Sequence, residues 1–186
     1  VCLRGKSDIS FAGPGRERGR RIVLKDSTSS GSMIDKRTVG WREWVTLPDL
    51  GIEAIKAKVD TGARTSALHA FRLETFEENG RLRVRFGMHP VQRRTRPEIF
   101  CVADVVDRRP VTDSGGHTED RYVIFTRVRL GNLEWPVEMT LTSRDNMRFR
   151  MLLGRSAISG RLIVDSERSY VIGKRPHKAK LKKKGL

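Results

Sequence analysis

A chain of 186 residues, 37% hydrophobic and 32% charged, is long enough to bury one core of ordinary size. No stretch approaches the roughly 18 consecutive apolar residues of a membrane-spanning helix, and the arginine-broken N-terminal residues lack the apolar stretch of a secretory signal, so no membrane partner is expected. With only Cys2 and Cys101, and no C-x-x-C spacing, neither a disulfide framework nor a thiolate zinc cluster can be built within the chain, and a reducing cytoplasm is the expected compartment.

The formal charge of +16 is unevenly spread: +5 in residues 1–40, +7 in 174–186 and +4 in the body between them. The body is nearly balanced, which argues against nucleic-acid recognition as its main task. The run Lys174, Arg175, Lys178, Lys180, Lys182, Lys183, Lys184 is a solvated arm, where weak contact with RNA or a ribosome is expected if anywhere.

In chain order, residues 1–38 begin rich in Gly, Ser and Arg without apolar periodicity and are expected to form a disordered extension. From Trp41 the apolar residues recur with a period near two, predicting strands over 41–47, 55–59, 82–86 and 99–106. A hairpin follows, 122–130 turning at Gly131-Asn132 into 133–141. Pro48, Pro90, Pro97 and Pro110 punctuate the runs, and the one helical segment expected is short, Arg155 to Ser159. The class is mainly β, a small barrel or sandwich over residues 39–174, with 175–186 as a basic C-terminal tail.

The segment Ala57-Lys58-Val59-Asp60-Thr61-Gly62-Ala63-Arg64-Thr65-Ser66-Ala67-Leu68 puts a carboxylate at the end of an apolar strand, with a hydroxyl and a glycine directly after it. Gly62 allows a tight loop, backbone N–H groups nearby can bond the Asp60 carboxylate, and the Thr61 hydroxyl can hold a neighbouring loop. Taken alone, these residues are equally explained by a strand-ending Asx turn. The second segment is Met151-Leu152-Leu153-Gly154-Arg155-Ser156-Ala157-Ile158, an apolar run ending in Gly-Arg and leading into the short helix.

D-T-G-A followed 92 residues later by apolar-apolar-Gly-Arg resembles the retropepsin-like aspartic proteases, in which the second motif packs beside the catalytic loop. The wider runs Lys58 to Ala70, Asp113-Ser114-Gly115-Gly116-His117 and Arg148 to Arg155 resemble the bacterial family named ATP-dependent zinc proteases, often associated with the ligase that adds glutamates to ribosomal protein S6. The resemblance spans roughly residues 39–174. It implies a closed retropepsin-like β-barrel with one short helix, Asp60, Thr61 and Gly62 as the catalytic loop, and Ala63, Gly154 and Arg155 as its support.

Neither adjective of that family name is matched by a motif: H-E-x-x-H and G-x-x-x-x-G-K-[ST] are both absent, and His69, His89, His117 and His177 are scattered. No cofactor and no metal site is expected, although His117 with Glu119 or Asp120 keeps a metal-dependent hydrolase open as a competing reading. Asp113-Ser114-Gly115 repeats the Asp-hydroxyl-Gly pattern without an apolar strand before it. A glycine-rich flap, with Gly115 and Gly116 touching substrate, and a plain surface loop both fit that segment.

One aspartate cannot complete an acid/base pair, so a homodimer with one Asp60 from each copy is expected. Viral retropepsins tend to carry an acid after D-T-G-A, where this chain has Arg64; a guanidinium there either recruits acidic or glutamylated peptide substrates, or points to solvent or pairs with an acid elsewhere. The leading expectation is therefore a homodimeric aspartic endopeptidase. The rival from another class is a non-catalytic module that keeps the fold and binds protein near the ribosome.

Overall fold

The computed structural model describes residues 36–112, 115–142 and 148–175. The chain runs β1 (Arg37–Gly40), β2 (Arg42–Leu47), a 3-10 turn (Pro48–Leu50), β3 (Ile52–Asp60), β4 (Ser66–His69), β5 (Phe71–Glu78), β6 (Arg81–Met88), β7 (Ile99–Thr112), β8 (Thr118–Leu130), β9 (Leu133–Thr142), β10 (Met151–Gly154), α1 (Arg155–Ile158) and β11 (Leu162–Asp165). Among the described residues the fold is mainly β with one short helix, which is the class the periodicity predicts. Among the described residues no helix is long and apolar enough to cross a membrane.

Nine strands form one sheet in the order β2-β3-β10-β4-β9-β8-β7-β6-β5, and β1 pairs in parallel with β11 apart from it. The edge strand β2 meets β8 as well, at the pair Thr46 and Arg129. That meeting is reinforced one turn later. Asp49, in the 3-10 turn, accepts the Arg127 backbone N–H at 2.7 Å and its Nε–H at 2.8 Å. Those bonds hold the Asp49 carboxyl below its ordinary pKa.

The core follows from alternation. In β2 the side chains at 43, 45 and 47 are buried and those between them are half-exposed; in β3 the residues at 55, 57 and 59 turn inward. Val45, Leu47, Ile55, Leu68, Phe86, Ile124, Met139, Met151 and Leu153 then pack into one apolar cluster. The expected strands are all present, several longer than predicted, and the Gly131-Asn132 hairpin turn joins β8 to β9. Pro110 does not punctuate: it lies inside β7 opposite Asp120, on an arm where β7 pairs with β8 alone, the edge position at which a sheet tolerates proline. The expected disorder of residues 1–38 falls, save for 36–38, outside the described residues, as does all of the basic tail but Arg175; β1 begins at Arg37.

Glu43 breaks the apolar pattern of the inward face. It is 1% exposed, and its carboxylate accepts backbone N–H groups from Gly40 at 2.7 Å, Val171 at 2.8 Å and Ile172 at 3.4 Å. This buried acceptor ties the β1–β2 corner to residues 171 and 172, and the chain just before them passes so close that a Cβ at Gly40 would stand 2.4 Å from the Arg168 carbonyl oxygen. Glu43→Ala leaves three N–H groups without that acceptor and should lower the unfolding free energy by about 2–5 kcal/mol in urea titration, with Glu43→Gln falling between it and the wild type.

Candidate active site

Asp60 is the last residue of β3, half-buried, and its Oδ1 accepts backbone N–H groups from Gly62 and Ala63, both at 3.2 Å. Oδ2 takes no protein hydrogen bond among the described residues. The loop 61–65 then crosses to β4. Between β3 and β4 lies β10, parallel to β3 with Leu152 opposite Lys58, Leu153 opposite Val59 and Gly154 opposite Asp60, and antiparallel to β4. The two motifs, 92 residues apart in sequence, are thus register partners.

The loop has to pass over the end of β10, and Gly154 makes room for it. A Cβ at Gly154 would lie 2.5 Å from the Thr65 carbonyl carbon and 2.8 Å from the Ser66 nitrogen, too close for any side chain. The Gly154 N–H donates to Ser66 Oγ at 3.0 Å. The first N–H groups of α1 continue the attachment, Arg155 to the Ala63 carbonyl at 2.8 Å and Ser156 to the Arg64 carbonyl at 3.0 Å, while Arg155 Nη1 donates to the Thr61 carbonyl at 3.1 Å. Every carbonyl these groups reach belongs to the loop. The Asp60 carboxylate is consequently positioned by backbone geometry from three elements.

Asp60, Thr61, Gly62, Ala63, Arg64, Gly154 and Arg155 therefore form one cluster. Gly62 is less constrained than its motif implies: an added Cβ would meet only Asp60 Oδ1, at an ordinary 3.4 Å. The Arg64 side chain is exposed and unpaired among the described residues. Gly115 and Gly116 lie elsewhere, at the exposed tip of the β7–β8 arm, where Gly116 has φ +82° and the Thr112 and Thr118 hydroxyls are 2.7 Å apart. Asp113 and Ser114 are outside the described residues.

Ser66 was not singled out as a site residue by the sequence. It is fully buried, bonds Gly154 through its hydroxyl and holds the Thr140 hydroxyl through its carbonyl at 3.1 Å. A small hydroxyl residue directly before the apolar pair Ala67-Leu68 is the signal that could have marked it.

No group of three or more His, Cys, Asp or Glu side chains among the described residues is placed to hold a metal ion. Glu119 is engaged by Arg121 at 2.6 Å and by the Thr142 hydroxyl at 2.9 Å, so the His117, Glu119, Asp120 grouping does not form a donor set for zinc. Cys101 is buried beside the Leu50 carbonyl, and burial pushes its thiol up to about 11, which leaves it a poor nucleophile.

Residues 38–175 match the family model described as RimB-like, retropepsin-like aspartic endopeptidase RimB. The chain belongs to that family. Its relatives include two proteins named probable alpha-L-glutamate ligase, from Shewanella pealeana (45% identical over 141 residues, 76% of this chain) and Desulfotalea psychrophila (44% over 140 residues, 75% of this chain). The chain spans 31% and 30% of their respective lengths. Among solved structures, Lpg0085 from Legionella pneumophila, described as a protein of unknown function (DUF785), matches with a TM-score of 0.62 and 25% identity over 73% of this chain and 98% of that one.

The two glycines of the paired motif can be told apart by substitution. Gly154→Ala forces backbone against backbone and should cost about 1–3 kcal/mol in thermal or urea unfolding, whereas Gly62→Ala should leave stability within about 0.5 kcal/mol of the wild type.

Proposed function

We propose that the protein is an aspartic endopeptidase that works as a homodimer, one Asp60 from each copy meeting on the twofold axis, on acidic or glutamylated peptide tails. The single observation that carries this is the Asp60 carboxylate itself, with one oxygen bonded to the Gly62 and Ala63 N–H groups and the other without a hydrogen bond among the described residues. Two such carboxyls brought together share one proton. The ionised one accepts a proton from a water as its oxygen bonds to the scissile carbonyl carbon, and the protonated one donates to the carbonyl oxygen. The tetrahedral intermediate expels the amine, which takes the proton held by the carboxyl that had accepted it from the water as the C–N bond breaks, while the other carboxylate takes back the proton it gave to the carbonyl oxygen, and an acid and an amine are released.

Features of the subunit support this reading. Gly62 has space for a side chain in the isolated subunit, so its smallness suits the approach of a substrate or a second copy. The Thr61 hydroxyl makes no bond among the described residues and is available to the same neighbour. The β2–β8 pair, which brings the edge strand β2 to β8, supports reading β2, β3, β10, β4, β9 and β8 as a closed retropepsin-like barrel. Arg64 brings a positive charge to the loop, and the relatives named glutamate ligases carry a matching domain within a longer chain, which favours a substrate rich in glutamate. Gly115 and Gly116 are assigned to a flap over bound peptide, supplied by the β7–β8 arm.

Asp60→Asn should keep the secondary structure and the dimer, measured by circular dichroism and sedimentation, and lose about 10²- to 10⁴-fold in kcat/KM on a glutamate-tailed peptide. Unchanged turnover in that variant would sink the catalytic assignment and leave the non-catalytic binding module. Arg64→Gln should reduce the preference for a glutamate-tailed over a glutamine-tailed peptide about two- to fivefold, an effect that shrinks with added salt.

A further inference from the structure

The outward face of β2, β3 and β10 carries a row of side chains that the site above does not use. Pairing sets Arg42 opposite Lys58 and Trp44 opposite Lys56, with Leu152 on the other flank of Lys58. A groove of about 470 Å³ opens over this face, lined by Arg42, Trp44, Lys56, Arg93, Arg148 and Arg175 among others. A second of about 350 Å³ shares Arg148 and Phe149 with it and adds Trp41, Lys58 and Leu152. Six cations line the two grooves and no acidic residue does. None of the six is ion-paired among the described residues, whereas Arg83, Arg109, Arg127 and Arg129 each are.

Three of the six cations, Arg42, Lys56 and Arg175, lie against aromatic rings. Arg42 sits 4.5 Å from the Trp41 ring centre and 5.2 Å from that of Tyr170; Lys56 is 5.1 Å from Trp44, and Arg175 is 5.3 Å from the same ring. Trp44 and Tyr170 stack on each other at 6.0 Å. Such stacking orders flexible cationic side chains before any ligand arrives, which lowers the entropy lost on binding. It also occupies the aromatic faces. A single-stranded nucleic acid bound without sequence preference needs open rings for its bases, whereas carboxylates need only the cations.

Spacing favours an extended acidic chain. Lys56, Lys58 and Asp60 are alternate residues of β3 on one face, about 6.6 Å apart per step. Alternate carboxylates of an extended peptide repeat at the same interval. A peptide lying along β3 with its scissile bond at Asp60 would reach Lys58 about two residues away and the wider groove about four residues away.

We propose that the groove formed by Arg42, Lys56, Lys58, Arg93, Arg148 and Arg175 is an anchoring site for an extended acidic peptide, separate from the Asp60 loop and feeding it. The inference deepens the proposed function, because it takes the peptide substrate from that reading, but the groove can be tested without turnover. The test is fluorescence anisotropy with a labelled hexaglutamate, a labelled hexaglutamine and a labelled hexauridylate, on the full chain carrying Asp60→Asn so that no peptide is cut. Hexaglutamate should bind, hexaglutamine should not, and Lys56→Gln with Arg148→Gln should weaken hexaglutamate about five- to thirtyfold. A charge-matched control, Lys36→Gln with Arg161→Gln outside the groove, should change binding less than twofold.

In the active chain, the groove variant should raise KM for substrates with four or more glutamates beyond the cut bond and leave that for two-glutamate substrates within twofold. Equal loss of hexaglutamate binding in the groove and control variants would reduce the effect to net charge and overturn the proposal. Hexauridylate binding tighter than hexaglutamate, with the same dependence on Lys56 and Arg148, would overturn it in favour of RNA. If the groove variant misfolds, the single variant Lys56→Gln decides, with an expected loss of about two- to fivefold and no loss overturning the site. Persisting peptidase activity in Asp60→Asn, by contrast, would remove the catalytic reading while the binding results still judged the groove.

Discussion

The backbone contact between Gly154 and Thr65-Ser66 is the constraint on which the site depends. β10 runs between β3 and β4, so a chain leaving β3 at Asp60 and re-entering as β4 at Ser66 has to cross the end of β10. At the crossing the two backbones are closer than a methyl group permits. Because β10 passes directly into α1, the same crossing puts the first N–H groups of the helix under the loop carbonyls. Three consequences, the sheet register, the helix start and the direction of the Asp60 carboxylate, follow from one close approach. The apolar residues before Gly154 contribute by burying Met151 and Leu153, which fixes the depth of β10 in the core.

Much of this was legible because its signals were local. Alternation marked β2, β3, β6, β7, β8 and β9, and the paired motif marked both sides of the crossing. What escaped did so for physical reasons. All four residues of β4 are buried, so Ser66 to His69 has no alternation to read. β5 is mostly exposed, and its Phe71, Leu73 and Phe76 are only half-covered. β1 and β11 are four residues each and are defined by pairing with one another across the chain. Glu43 has the residue type of a surface position, and only the fold shows that three backbone N–H groups converge on it.

Charge offers a sharper case. The body sums to a modest +4, a value that reads as neutral surface. In the fold its acids are gathered where arginines already stand: Asp49 and Glu134 on Arg127, Glu134 also on Arg129, Glu78 and Asp104 on Arg83, Asp107 and Glu138 on Arg109. Those pairs neutralise the β6–β9 side of the sheet. The six groove cations beside β2, β3 and β10 make no ion pair among the described residues, so a modest sum conceals a positively charged face. Counting residues by sequence interval cannot find this, because the separation is between faces of a sheet and each strand contributes to both.

The position of Asp60 joins these two patterns. Within β3 the inward residues Ile55, Ala57 and Val59 secure the strand in the core, and the outward residues Lys56 and Lys58 lead toward Asp60 along the exposed face. A strand with this alternation holds its last carboxylate rigidly and surrounds the approach to it with positive charge. The loop is held by backbone bonds made at Gly154, Arg155 and Ser156, and among the described residues the outward side chains Lys56 and Lys58 make no hydrogen bond to it. The division of labour is set by the period of two: one face of β3 is committed to the core, and the other, from Lys56 to Asp60, is left for chemistry.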